Sequence, residues 1–353
     1  MIEKYYSGVI EQIYNRIGKE TRNIVMANYS NDFSIENLEV IRRYQSNEDN
    51  VFFAYSEFSY NTLVGAYEPF LDIICNMHRR FIGGSFDDFQ KECGVYYLHR
   101  QVLNSYYETG ECFREETVLL NEVAYEQRRM TMAIADMLKK LSEVKPLMIV
   151  INRFQMASKS SIETIKYLID NPCANIGIVL GVNAIVKGTD STVEVWDRIV
   201  ESLEDRSAIY YIGSAGSLKN NVKTTNDDEL YITMNFEQSI QEASNIMEFL
   251  DFEQAKRGCR IIEHKLKFDD AWIDEKSLRR FYMVYARTSV LLGEMSKAIE
   301  LTNEYKALIP ENDSEHYLSL YYFMKGTCYM YQGKLEKAEN CAKSAYDYAV
   351  LAE

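Results

Sequence analysis

The chain has 353 residues, of which 47% are hydrophobic, and a formal net charge of −14. That length allows two domains with ample core, and the apolar fraction excludes intrinsic disorder. The acidic balance disfavours direct contact with a phosphate backbone, because the densest basic spots, such as Arg42-Arg43 and Arg279-Arg280, are only short pairs or triplets.

In chain order, Ile2, Tyr5, Tyr6, Val9, Ile10, Ile13 and Ile17 share one stripe and predict an amphipathic helix over residues 2–18. Residues 23–27 read as a strand leading into a polar loop, and Ser34 is the expected N-cap of the helix that follows. A second strand is expected at 51–55. The pattern over 62–82 predicts a helix broken near Glu68-Pro69 and ended by Gly83-Gly84. Residues 86–108 and 113–143 are expected to be mainly helical. After Pro146, the continuous apolar run 147–151 fits a strand buried on both faces. A helix over 160–169, a buried strand over 176–182, a helix over 191–204 and strands at 208–212 and 229–234 follow. This alternation predicts a parallel α/β sheet across about residues 20–234, and hence a first domain over 1–235. From Phe236 onward only helical periodicity remains.

That second domain, 236–353, contains internal similarity. Ala286 and Gly326 each precede a glycine by seven positions, Gly293 and Gly333, and these lead to Ala298 and Ala338. The two copies lie 40 residues apart, and a weaker copy (Ala243, Leu250, Ala255) lies 43 residues earlier. Small residues let two helices cross closely, glycine permits the tight turn between them, and Pro310 stops a helix. The pattern resembles the tetratricopeptide repeat over about residues 236–351, with Tyr282 and Tyr322 at the family's large position near the start of the first helix. The spacing exceeds that family's roughly 34 residues, which implies extended loops between about three hairpins. The resemblance implies a groove for a protein or peptide, with Arg280, Met283, Arg287, Phe323 and Thr327 as candidate groove residues. Two arginines beside apolar residues would suit an acidic, partly hydrophobic segment; they suit an ordinary solvated or inter-repeat position equally well.

Residues 147–158, with Asn152-Arg153-Phe154-Gln155-Met156-Ala157, resemble the Walker B region of signalling P-loop ATPases of the STAND class. The helix-like 161–168, the strand-like 178–183 and Tyr67-Glu68-Pro69-Phe70-Leu71 extend the likeness. The resemblance implies an AAA-like nucleotide-binding scaffold. Two departures remove its chemistry. Asn152 and Arg153 occupy the two acidic positions, so no carboxylate is offered to Mg²⁺ there. The segment 27–35 after the first strand has neither the glycines nor the lysine that cradle phosphates, and GxxxxGK[ST] occurs nowhere in the chain. Loss of ATP hydrolysis is expected. Asn152 and Arg153 then read either as a decayed loop held by fold stability or as a repurposed site in which Arg153 pairs with a carboxylate.

No cofactor or metal is expected: the seven cysteines include no CxxC pair, and the four histidines show no ligand-like spacing. Free thiols, the absence of an apolar signal core after Met1 and the shortness of every apolar run point to a cytoplasmic protein that neither enters a membrane nor binds nucleic acid by itself. No nucleophilic or paired-carboxylate set stands out, so catalysis is not expected. The expected function is that of a regulatory protein–protein interaction module. The alternative is the sensor portion of a STAND-type bacterial transcription regulator whose DNA-binding module lies elsewhere. With no polar capping helix after the final repeat, the array is expected either to pair with a second copy or to belong to something longer.

Overall fold

The computed structural model describes residues 2–29, 38–46, 50–59, 63–114, 118–183, 193–212, 235–268, 273–312 and 314–352. The loop counterpart from residue 30 to 35, the Ser34 cap and the expected strand at 229–234 lie outside them. The chain divides into two compact units. The first takes residues 1–115 and 127–231, and the second takes 116–126 and 232–353.

The first unit is built on a parallel sheet. Its strands β1 (Ile24–Tyr29), β2 (Phe52–Glu57), β3 (Leu147–Asn152), β4 (Ile176–Asn183) and β5 (Ile209–Ile212) run in the order β2-β3-β4-β1-β5. All side chains of β3 and β4 are buried, as the unbroken apolar runs require of central parallel strands. Helix α1 (Ile2–Arg16) lies over β4 and β1, and its Tyr6, Ile10 and Ile13 join Val25, Ala27, Tyr29, Val150 and Val179 in one core cluster. Helix α2 (Glu39–Ser46) extends this layer, with Tyr44 stacked on Tyr14 at 4.0 Å between ring centroids.

Two glycines in β4 set how close α1 comes. A Cβ on Gly177 would lie 2.8 Å from the Ile17 side chain, and one on Gly181 would lie 2.5 Å from Tyr6 Oη. The early part of α1 therefore sits over the end of β4, and its late part sits over the strand's beginning. Helix and strand run antiparallel, with consistent lengths: eleven residues of helix and four of strand each cover roughly 13–17 Å.

Helix α3 (Phe70–Met77) begins only after Pro69 and continues through a π-helical turn, His78–Ile82, to Gly83. The helix expected over 86–108 is two: α4 (Phe86–Glu92), capped by Ser85, and α5 (Tyr97–Thr109). Gly94 at φ +71 separates them. The helix expected from 113 starts ten residues later, as α6 (Val123–Val144). Between β3 and β5 lie α7 (Lys159–Asp170) and α8 (Val193–Glu204).

The second unit is helical: α9 (Phe236–Glu248), α10 (Phe252–Phe268), α11 (Glu275–Leu291), α12 (Met295–Ala307), α13 (Ser314–Tyr331) and α14 (Leu335–Ala352). Successive helices pack as antiparallel neighbours, and α9·α11, α11·α13, α10·α11 and α12·α13 contacts join the pairs. Asn235 opens α9 with a full capping box to Gln238, and Asp274 caps α11 through Ser277. The turn positions aligned in the sequence share one backbone conformation: Leu250, Gly293 and Gly333 have φ of 68°, 79° and 72°. Leucine adopts this left-handed state at a cost of about 1–2 kcal/mol, which burial of its side chain (3% exposed) offsets. Gly326 permits the closest crossing, since a Cβ there would sit 3.1 Å from that of Cys341.

Candidate functional site

In an open parallel sheet, ligands sit beyond the carboxyl ends of the strands, where neighbouring strands send their connections in opposite directions. Here the chain leaves β1 toward β2, past β4 and β3, and leaves β4 toward β5, past β1. The switch point is therefore between β1 and β4, whose final register partners are Tyr29 and Asn183. Asn152 ends the adjacent strand β3, so the residue singled out in the sequence stands at the place where a ligand would be held.

The strand ends at that corner are tied to each other and packed against α1. Tyr29 Oη donates to Asn152 Oδ1 at 2.5 Å, and both residues are at most 1% exposed. Tyr6, fully buried, reaches the same corner from α1, its ring 6.4 Å from that of Tyr29 and in edge contact. Burial, together with Tyr29, Tyr55 and Glu57 nearby, raises the Tyr6 hydroxyl well above its usual range, so it stays protonated. Gly181 leaves just enough room: a Cβ there would lie 2.9 Å from Asn152 Oδ1.

Arg153 follows with φ 54°, a left-handed conformation uncommon for a residue with a side chain. The turn sends its guanidinium sideways to β2. Arg153 Nη1 meets Glu57 Oε1 at 2.9 Å, each side chain no more than 20% exposed, and it also donates to the Phe58 carbonyl at 3.3 Å. Tyr55 Oη donates to the other Glu57 oxygen. Arg153 thus fastens edge strand β2 to β3 beyond their ladder. Gln155 accepts from the Asn183 N–H at 3.3 Å, which ties the turn after β3 to the end of β4.

A cavity of about 200 Å³ at the opposite end of the sheet is lined by Arg16, Arg22 and Arg206. Three helices, α1, α7 and α8, end around it. Carbonyl-rich helix ends attract cations, and the arginines answer that field. Arg206 donates to the Ile169 carbonyl at 2.5 Å, and Arg16 faces Glu20 at 3.6 Å.

In the helical unit the proposed groove residues are tied into the array. Arg287 Nη1 meets Glu248 Oε1 of α9 at 2.9 Å, and Arg280 donates to Gln241 of the same helix. Both guanidiniums thus join α11 to α9. Met283 is half-buried, Thr327 Oγ1 donates to the Phe323 carbonyl, and the Phe323 ring is 47% exposed. Tyr322 stacks on Tyr348 of α14, with centroids 5.6 Å apart.

Sequence reasoning missed Tyr29, Tyr6 and Glu57. The available signal was Gly177 and Gly181 inside an apolar strand, since paired strand glycines mark the close approach of another element. Among the described residues no group of three or more His, Cys, Asp or Glu is placed to hold a metal ion, and no helix is long and apolar enough to cross a membrane. No known protein family matches the chain, and no curated protein matches it either.

Proposed function

We propose that the chain is a non-catalytic, regulatory interaction protein: a STAND-like P-loop ATPase scaffold that has given up its nucleotide site, joined to tetratricopeptide-like hairpins that hold a protein or peptide partner. The observation that carries this reading is the closed corner at the switch point. Binding of Mg²⁺ with a triphosphate needs carboxylate oxygens and open, donor-rich backbone. At that corner the side chain of Asn152 is neutral and already accepts from Tyr29, and the nearby carboxylate of Glu57 is neutralised by Arg153. A guanidinium placed beside an expected metal repels it.

The repeat part of the reading draws on the three hairpins, whose aligned turn residues share one left-handed conformation. The first helices of stacked hairpins line one face of such an array. With Arg280 and Arg287 engaged on α9, the contact offered along α11 and α13 is more apolar than the sequence suggests, centred on Met283 and Phe323. An amphipathic or partly apolar segment fits that face better than a purely acidic one. The cytoplasm is the compartment proposed for this activity.

Calorimetric titration with ATP and ADP, with and without Mg²⁺, tests the reading. The expected result is no heat and no rise in Tm at millimolar nucleotide. Mg²⁺-dependent binding with a micromolar Kd would overturn it.

A further inference from the structure

The two later hairpins, related by a 40-residue shift, differ in what covers them. In the earlier hairpin, against which α13 packs, Val290 is 5% exposed and Thr302 0%. Their counterparts Met330 and Ala342 are exposed, Met330 at 45%. Lys306 of α12 lies over the Tyr321 ring of α13 at 5.0 Å, and its counterpart Tyr346 is 70% exposed. The same surface that stacks in the earlier hairpin is bare in the later one.

This bare face is continuous along α14. Leu335, Ala342, Tyr346 and Val350 fall on one stripe at helical spacing, and Leu335, Tyr346 and Val350 are each more than half exposed. Met330 of α13 lies beside it, one helical turn from Gly326, where the two helices come together. These side chains expose on the order of 500 Å² of mostly apolar surface, near the upper end for a monomer. Two such faces together reach about 1,000 Å², the lower bound for a specific interface.

We propose that this face is an isologous interface, and that a second copy of the chain lies antiparallel across α14. The rim charges favour a second copy over other partners. Glu339 and Lys343 border the stripe, 2.7 Å apart and exposed. When two α14 helices cross antiparallel about a point near Cys341, each Glu339 meets the partner copy's Lys343, and each Lys343 meets its Glu339. The same register sets each Leu335 against the opposing Tyr346, with Ala342 allowing close approach at the centre. A two-fold interface must be self-complementary in this way.

Sedimentation velocity of the full chain, from about 1 µM to about 100 µM, should show a species of twice 41.1 kDa, with Ala342→Glu reducing it to monomer. Unchanged far-UV circular dichroism and Tm would show that this variant remains folded. The charge pair supplies a test that folding defects cannot imitate. Glu339→Lys and Lys343→Glu should each weaken self-association at least tenfold, and mixing the two variants should restore a heterodimer, since every rim contact is then between opposite charges. A wild-type chain that stays monomeric at about 100 µM overturns the proposal and assigns the face to another partner. A dimer indifferent to Ala342→Glu, mixed charge variants that stay apart, or open-ended polymers overturn it equally.

Discussion

Asn152 shows how one neutral side chain decides the character of a site. As an amide it accepts the Tyr29 hydroxyl within a fully buried corner. Asn152→Asp would place a carboxylate there, away from water and beside Tyr6, whose hydroxyl is already held protonated. Desolvation then raises the folded-state pKa of the new acid above the unfolded value of about 3.9. The folded state would bind the extra proton more tightly, so the variant should be destabilised at pH 7, by about 1–3 kcal/mol, and recover as pH falls through its raised pKa. Urea unfolding at pH 7.5 and 5 checks this; a variant more stable at the higher pH would refute it. His99 gives the opposite case of burial. Burial, with Arg114 and Arg129 adding to it, lowers its imidazole from 6.5 to about 3. The unfolded chain therefore binds a proton that the folded chain refuses between those values. Stability present above pH 6.5 is lost as pH falls toward about 3, at up to about 1.4 kcal/mol per unit. His99→Gln should flatten that slope in denaturant titrations across pH 4–7.

At the scale of elements, the contact of α1 with β4 depends on two absent side chains. Gly181→Ala would push a methyl to within 2.5 Å of Tyr6 Oη and 2.9 Å of Asn152 Oδ1. Overpacking of this kind costs about 1–3 kcal/mol. Combining it with Tyr6→Phe removes the nearest atom, and the double variant should be more stable than the sum of the two single effects, by urea midpoint. Strict additivity would mean that α1 does not approach β4 as described. Much was legible from residue patterns: in the sheet unit the stripe on α1 and the doubly buried runs of β3 and β4, and in the helical unit the turn shared by Leu250, Gly293 and Gly333, follow from periodicity or repeat alignment. The strand order was not, because parallel strands are joined by long crossovers whose destination leaves no local mark. The helices were drawn too long where Gly94, residues 110–114 and residues 118–122 interrupt apolar spacing that continues on either side. The fate of the arginines was hidden for a related reason. Arg287 and Arg280 meet partners 39 positions earlier, on α9, and only the stacking of hairpins brings those residues together.

At the scale of the whole molecule, charge separates the remaining functional readings. A chain at −14 creates a field that repels polyanions and speeds the approach of basic partners. Of the arginines around the converging helix ends, Arg206 donates to the Ile169 carbonyl and Arg16 faces Glu20. Direct DNA contact by this chain would have to overcome that field without the counterion release that drives most non-specific binding. A fluorescently labelled duplex should therefore show no anisotropy change with the protein at about 50 mM salt, where such binding is strongest. Measurable affinity that weakens steeply toward 200 mM would place a nucleic-acid surface on this chain and favour the transcription-regulator reading. Without it, regulation through DNA would require a separate module or partner, and the acidic surface would act as a filter that admits basic or apolar protein segments.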